Sequence, residues 1–117
     1  MEDPKALALF KEVYEGTIAN RIPWEPTADE GEYAATIGGK FTLVIRGYTD
    51  VDFRGDREGW PSLVLKDESY REVLKVTTEV DGVTGPVLND LFERAKRSAL
   101  KADEKVDELI DALRKIG

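Results

Sequence analysis

The clearest structural signal in the chain is the stretch YAATIGGKFTLVIR at residues 33–46. Large apolar residues alternate with small or polar ones on both sides of Gly38-Gly39. Successive side chains of a strand point to opposite faces, so this alternation predicts two strands that each bury one face. A Gly-Gly pair supplies the positive φ angles that a two-residue turn requires. The stretch therefore predicts an antiparallel β-hairpin, with these residues facing inward: Tyr33, Ala35, Ile37, Phe41, Leu43 and Ile45.

Two further strands are predicted beyond a charged loop over residues 49–59. The third strand lies near 61–66, with Leu63 and Leu65 facing inward, and the fourth lies near 70–79, rich in Val and Thr. The predicted strands are joined by short connections. Short connections join antiparallel neighbours, because parallel pairing needs a long crossover. The four strands together predict an antiparallel meander.

A first helix is predicted over residues 4–15. Asp3-Pro4 is a typical helix start, because Asp caps free backbone amides and Pro suits the first helical position. Apolar residues follow at helical spacing up to Gly16, which is a typical helix end. The two prolines of residues 22–27 then favour extended chain, and Trp24 between them is predicted to close one end of the core.

The last helix is predicted to begin at Pro86 after a linker over residues 81–86. Its apolar residues are spaced alternately four and three apart: Leu88, Phe92, Ala95, Ala99, Ala102, Val106, Leu109, Leu113 and Ile116. This heptad pattern favours one continuous helix over 86–116, with a helical hairpin turning near Lys101–Asp103 as the alternative. Such a helix would be ~46 Å long, whereas a domain of this size has a radius of gyration near ~13 Å. Its end must therefore fold back on the first helix or contact a second chain.

These elements predict a single α+β domain over residues 1–117. It comprises an N-terminal helix, a four-stranded antiparallel meander and a long C-terminal helix packed on one sheet face. The chain has 41% hydrophobic and 35% charged residues, a composition typical of globular proteins rather than disordered ones.

Composition also narrows the chemistry. The chain contains no cysteine and no histidine, which excludes thiolate and imidazole catalysis and the usual zinc ligands. The net charge of −7 resides in residues 1–85, since residues 86–117 carry seven acidic and seven basic residues. An acidic body disfavours general nucleic-acid binding. The acidic start and the lack of a long apolar run argue against a signal peptide or a membrane span, so a cytoplasmic location is expected.

Motifs for metals and phosphates are weak. Residues 50–56 begin like a calcium loop, but Arg54 and Pro61 occupy positions where that motif needs oxygen ligands. The glycines match no phosphate-binding pattern. The acidic run after Lys101 is interpreted as a solvated helix face, and no cofactor or metal is predicted. Arg94 and Arg97 follow Asp90 and Glu93 by four residues, which favours ion pairs within the helix.

Trp60 is the best single candidate for a recognition residue, because tryptophan is favoured at binding surfaces and Trp60 follows the charged loop. Packing at the edge of the core is the alternative role for Trp60. A second hypothesis is a pocket for a small anionic, nucleotide-like ligand between sheet and helix. Its candidate residues combine aromatic rings with arginines: Arg46, Tyr48, Trp60, Arg94 and Arg97.

The chain resembles a group of short uncharacterised prokaryotic proteins. The resemblance rests on Ile22-Pro23-Trp24-Glu25-Pro26-Thr27 and on the run LFERAKRSAL at residues 91–100. It implies a bacterial or archaeal origin and no particular activity.

The leading functional hypothesis is a non-enzymatic interaction or regulatory module. It would act through the C-terminal helix and the sheet or loop surface near Trp60, as a homodimer or with another protein. The alternatives are the anionic-ligand protein, an enzyme that relies on Tyr, Lys and carboxylates, and an inhibitor that mimics nucleic acid through its acidic body.

Overall fold

A computed structural model describes residues 3–47, 50–51 and 57–116 and shows an α+β architecture. Helix α1 is followed by seven short strands and then by two helices. The elements are α1 Pro4–Ile18, β1 Glu25–Pro26, β2 Glu32–Ile37, β3 Phe41–Arg46, β4 Asp50–Val51, β5 Arg57–Glu58, β6 Ser62–Lys66, β7 Glu72–Val76, α2 Gly85–Ala99 and α3 Ala102–Ile116.

The predicted hairpin is confirmed as β2 and β3, which pair antiparallel from Glu32–Arg46 to Ile37–Phe41. Gly38 and Gly39 have φ angles of 64° and 67°, which suit a turn, but the pairing of Ile37 with Phe41 leaves three residues in the loop instead of the predicted two. Among the described residues, the main sheet has five strands in the order β1-β2-β3-β6-β7, all antiparallel, rather than the predicted four. The additional strand β1 escapes sequence reasoning because it has two residues, one of them Pro26 at the sheet edge.

The core lies on one face of this sheet, beneath α1 and α2. Leu43 and Ile45 of β3 pack with Phe10 of α1 and with Leu88 and Leu91 of α2. The two helices run side by side in the same direction. Leu7 lies against Gly82 just before α2, Tyr14 contacts Asp90, and Thr17 and Ile18 lie beside Arg97 and Ser98.

Helix α1 begins as predicted and ends later than predicted. The Asp3 carboxylate accepts a hydrogen bond from the Ala6 amide at 3.1 Å, which caps the helix. Gly16 lies inside α1 and does not end it. A Cβ at this position would lie 3.1 Å from the Ile22 side chain, so glycine allows the returning chain to pack closely against the helix.

Trp24 is buried in the core, as predicted. Its indole Nε1–H donates to Thr17 Oγ1 at 3.0 Å, and the Thr17 hydroxyl donates to the Val13 carbonyl at 2.7 Å. These two bonds fasten the segment after α1 to the end of that helix.

The prediction of one continuous helix over 86–116 is wrong. Helix α2 starts at Gly85, where the Thr84 hydroxyl accepts from the Val87 amide, and it ends at Ala99. Lys101 has a φ of 53°, in the left-handed region, and this residue breaks the helix. The break lies where the alternative placed a turn, yet α3 does not pack back on α1. Its main packing partner among the described elements is α2, and none of its described residues is buried.

The apolar heptad pattern therefore divides into two halves with different surroundings. Leu88, Phe92, Ala95 and Ala99 are buried in the core, whereas the apolar residues of α3 are exposed. The projecting helix also explains the elongated shape. The radius of gyration is 16.1 Å, compared with ~13 Å for a compact domain of this length, and the extents are 57 × 41 × 26 Å.

Candidate functional site

Five of the eleven large apolar side chains that are exposed in the described chain lie on α3, where they form a surface that we call the α3 stripe. Its side chains recur at i, i+3, i+4, i+7 and i+10, the spacing that aligns residues along one side of a helix. Their exposed fractions range from 40% to 82%. The stripe consists of Val106, Leu109, Ile110, Leu113 and Ile116.

The charges of α3 favour a stable helix even without a packed face. Asp103 and Glu104 lie in its first turn, and Arg114 and Lys115 lie in its last turn. Acidic residues near the N-terminus and basic residues near the C-terminus interact favourably with the helix dipole. An isolated helix of 15 residues is nevertheless marginal in water, so α3 gains stability from any partner that covers its stripe.

A second open apolar surface lies along the outer side of α1. We call it the α1–hairpin groove, a cavity of about 300 Å³ between α1 and the end of the β2–β3 hairpin. Ile37 and Phe41 form its hairpin wall and are 38% and 40% exposed. The groove is lined by Leu9, Glu12, Val13, Ile22, Ile37, Phe41, Leu43 and Leu65.

Trp60 occupies an intermediate position, with 47% of its surface exposed. Its ring lies on Gly85, the first residue of α2, so that a Cβ at Gly85 would overlap the Cδ2 and Cε2 atoms of the indole. One part of the ring therefore packs on the start of α2, and the other part faces solvent. This geometry is compatible with both packing at the edge of the core and recognition of a partner by Trp60.

Arg94 belongs to a polar link between α1 and α2. Tyr14 donates a short hydrogen bond to the Asp90 carboxylate, and Arg94 Nε donates to the same oxygen at 2.8 Å. The hydrogen bond from Tyr14, followed by that from Arg94, holds the pKa of Asp90 below its ordinary value. The same bond to Asp90 raises the pKa of Tyr14. The predicted pairing of Asp90 with Arg94 is thus confirmed, and Tyr14 is a partner that the sequence did not indicate.

Arg97 pairs with Asp103 at 2.8 Å, across the break between α2 and α3, instead of with Glu93 as predicted. Both side chains are largely exposed, at 68% and 88%. A pair exposed to this degree contributes about 1 kcal/mol or less to stability. It nonetheless favours the observed direction of α3 relative to α2.

The anionic-ligand pocket predicted between sheet and helix is not formed by its candidate residues. Arg94 and Arg97 line an open cleft of about 420 Å³ near the end of α1. Arg46 instead pairs with Glu32 at 3.5 Å, on the sheet face opposite Leu43 and the helices. Trp60 lies at the start of α2, far along the helix from the two arginines. Tyr48 lies outside the described residues.

The candidate metal sites find no support in the described ranges. Within residues 3–47, 50–51 and 57–116, no group of three or more carboxylates is arranged to hold a metal ion. The calcium-like segment at residues 50–56 lies largely outside the described residues. In the same ranges, no helix is both long and apolar enough to cross a bilayer.

No protein-family model, curated protein or solved structure matches the chain. The resemblance to short prokaryotic proteins therefore stays a prediction. Two apolar surfaces of the described residues, the α3 stripe and the α1–hairpin groove, are the candidates for a binding role.

Proposed function

We propose that this protein is a non-enzymatic association module that forms a homodimer through the α3 stripe. Single exposed apolar side chains are normal on protein surfaces. Five consecutive ones along a projecting helix form a contiguous patch, and such patches are typical of interaction sites. The single observation that carries the proposal is that every described residue of α3 other than Ala102 is exposed, including its whole apolar side.

The size of the stripe sets the expected affinity. Burying the exposed half of a Leu or Ile side chain yields about 1 kcal/mol, so two stripes of five residues yield about 10 kcal/mol. Association opposes this with about 4 kcal/mol or more of lost translational and rotational freedom. A net value of about 6 kcal/mol corresponds to a Kd of tens of micromolar. We therefore expect a weak, concentration-dependent dimer.

Sedimentation equilibrium tests the proposal with a matched pair of variants. Leu113 in the stripe and Val73 on the edge strand β7 are both 57% exposed. Leu113→Asp adds a charge to the stripe and should raise the dimer Kd at least tenfold, whereas Val73→Asp adds the same charge elsewhere and should leave it unchanged. Circular dichroism of both variants shows whether α3 keeps its helix content.

A wild-type chain that remains monomeric well above the expected Kd would remove the proposal. Equal effects of the two substitutions would also contradict it, because association would then not depend on the stripe. The anionic-ligand alternative has less support, since its arginines are paired with carboxylates and Arg46 lies apart from Arg94 and Arg97. Thermal-shift measurements with nucleotides test that alternative directly, and the exposed part of Trp60 remains its best aromatic surface.

A further inference from the structure

The α1–hairpin groove is a part of the sheet that α1 and α2 leave uncovered. Helix α2 packs over Tyr33 and Gly47 at one end of the hairpin, and α1 packs mainly over β7, with its Val13 beside the groove. Beyond α1, the core-facing side of the sheet continues to Ile37 and Phe41 without a helix above it. A further helix laid alongside α1 would complete the helical layer.

We infer that the α3 stripe of one copy docks in the α1–hairpin groove of a second copy, and that the exchange is reciprocal. This inference rests on the proposed function and identifies the surface that receives α3. An amphipathic helix with anchors at i, i+3, i+4 and i+7 is the usual ligand of an apolar groove. The α3 stripe has this spacing, and the groove has two apolar walls with Leu43 and Leu65 between them.

One border of the stripe carries a charge complementary to the groove. At 100° per residue, Lys105 borders the stripe on the side of Leu109. The border on the side of Ile110 has mixed charge, because Arg114 lies there between Asp103 and Asp107. Glu12 lines the α1 wall of the groove, and Lys40 lies beside Phe41 on the hairpin wall, with its Nζ 5.3 Å from the ring centroid. In one orientation of the helix, Lys105 lies next to Glu12. In that orientation the border on the side of Leu109 meets the opposite charge.

Reciprocal exchange brings the buried area close to the lower limit for a specific interface, as a weak dimer requires. A helix of 15 residues is ~22 Å long and ~10 Å wide, so one helix in one groove covers on the order of 440 Å² on both partners. Two such contacts cover roughly 900 Å², near the ~1,000 Å² expected of a specific interface. A one-way contact falls well below this area. The exchange also closes the assembly at two copies, because the described part of each chain offers the α3 stripe once and the α1–hairpin groove once.

Docking within the same chain is disfavoured by the junction between α2 and α3. Lys101 in the left-handed region turns the chain between the two helices, and α3 then packs mainly against α2. A second copy does not require this junction to change. The groove is therefore assigned to α3 of the partner.

Cysteine cross-linking tests the assignment cleanly, because the natural chain contains no cysteine. One preparation carries Phe41→Cys in the groove, and the other carries Leu113→Cys in the stripe or Asp111→Cys on the opposite side of α3. Each pair of preparations is mixed and oxidised, and the rate of disulfide formation between the two chains is measured. The Phe41→Cys chain should cross-link to the Leu113→Cys chain at least about tenfold faster than to the Asp111→Cys chain. Docking brings the first two thiols together and raises their effective concentration toward the millimolar range.

A charge exchange provides a second test. Lys105→Glu should weaken the dimer up to about 25-fold, because the exchange forms this pair twice and each exposed ion pair contributes up to about fivefold. Glu12→Lys in the same chain should restore the affinity. A lack of restoration, with the cross-linking preference also missing, would overturn the inference.

The remaining outcomes separate this inference from the proposed function. In a dimer with stripe packed on stripe, the Leu113→Cys chain would link mainly to another Leu113→Cys chain, and Phe41→Asp would not weaken the dimer. The proposed function would then stand, and the groove assignment would fail. A chain carrying both Phe41→Cys and Leu113→Cys that links internally as a monomer also overturns the assignment. A wild-type monomer removes both proposals.

Discussion

Replacing Gly85 with alanine places a methyl group where the indole of Trp60 now lies. Gly85 is not among the glycines with positive φ, so its backbone suits any residue, and only space requires glycine here. Because Trp60 is half-exposed, the ring is free to swing outward and leave α2. The substitution is therefore expected to act through Trp60 and not through the backbone.

The magnitude follows from the buried part of the ring. A tryptophan buries ~150–250 Å² when enclosed, so the buried half of Trp60 covers ~100 Å² and contributes about 2.5 kcal/mol. Alanine in place of glycine recovers about 0.5–1 kcal/mol by reducing the entropy of the unfolded chain. The expected net change for Gly85→Ala is a loss of about 1–2 kcal/mol in the free energy of unfolding.

Urea denaturation of four chains measures this coupling: the wild type, Gly85→Ala, Trp60→Ala and the double variant. In the Trp60→Ala background the methyl group meets no ring, so Gly85→Ala should stabilise by about 0.5 kcal/mol. Gly39→Ala is a useful contrast, because Gly39 has a φ of 67° and open space around it, and its cost should not depend on Trp60. A Gly85→Ala substitution that has the same effect with and without Trp60 would refute the reasoning.

Three further substitutions test the internal links of the fold. Tyr14→Phe removes the hydrogen bond to Asp90 and should lower the free energy of unfolding by about 1 kcal/mol at neutral pH. Because the pKa of Asp90 is held below its ordinary value, the difference in stability between the two chains should vanish as the pH falls through that lowered pKa. Urea titrations across the acidic range measure this. Trp24→Phe removes the bond to Thr17 and leaves a void, so a loss of about 2 kcal/mol is expected, and calorimetry showing no change in Tm would contradict it. Arg97→Ala breaks an exposed pair and should change stability by less than about 0.5 kcal/mol in denaturant titrations at any ionic strength.

The part of the fold that follows local rules was predictable from the sequence. The hairpin from Tyr33 to Arg46 depends on alternation and on two adjacent glycines, and both signals are local. The start of α1 at Asp3-Pro4 is local in the same sense. Strand β1 depends instead on pairing with β2, and Glu25 and Pro26 carry no strand pattern of their own.

The break between α2 and α3 was harder to predict from the sequence. Neither glycine nor proline lies near Leu100 and Lys101, and the apolar spacing continues through them without a change of phase. A lysine in the left-handed region is uncommon and has no sequence signature. A heptad pattern shows which residues are apolar, but it does not show which of them are buried in the folded chain.

The candidate site was predicted in part. The exposed end of the last helix was anticipated from its length, although the broken geometry was not. Placing Arg46 in a pocket with α2 conflicted with the alternation itself, which sets Arg46 opposite Leu43. The α1–hairpin groove was missed because alternation assigns Ile37 and Phe41 to the inner face, and only the position of α1 on the sheet determines that they stay exposed.

The parallel pairing of α1 with α2 has a consequence for the order in which the domain is completed during synthesis. Tyr14 is made early and Asp90 late, so these partners meet only after the whole sheet has been translated. Translation proceeds at about 5–20 residues per second, so for several seconds the nascent sheet has α1 but no second helix to cover Ile45 and Leu63. During that interval the nascent chain exposes an apolar surface, to which chaperones that recognise apolar segments would bind.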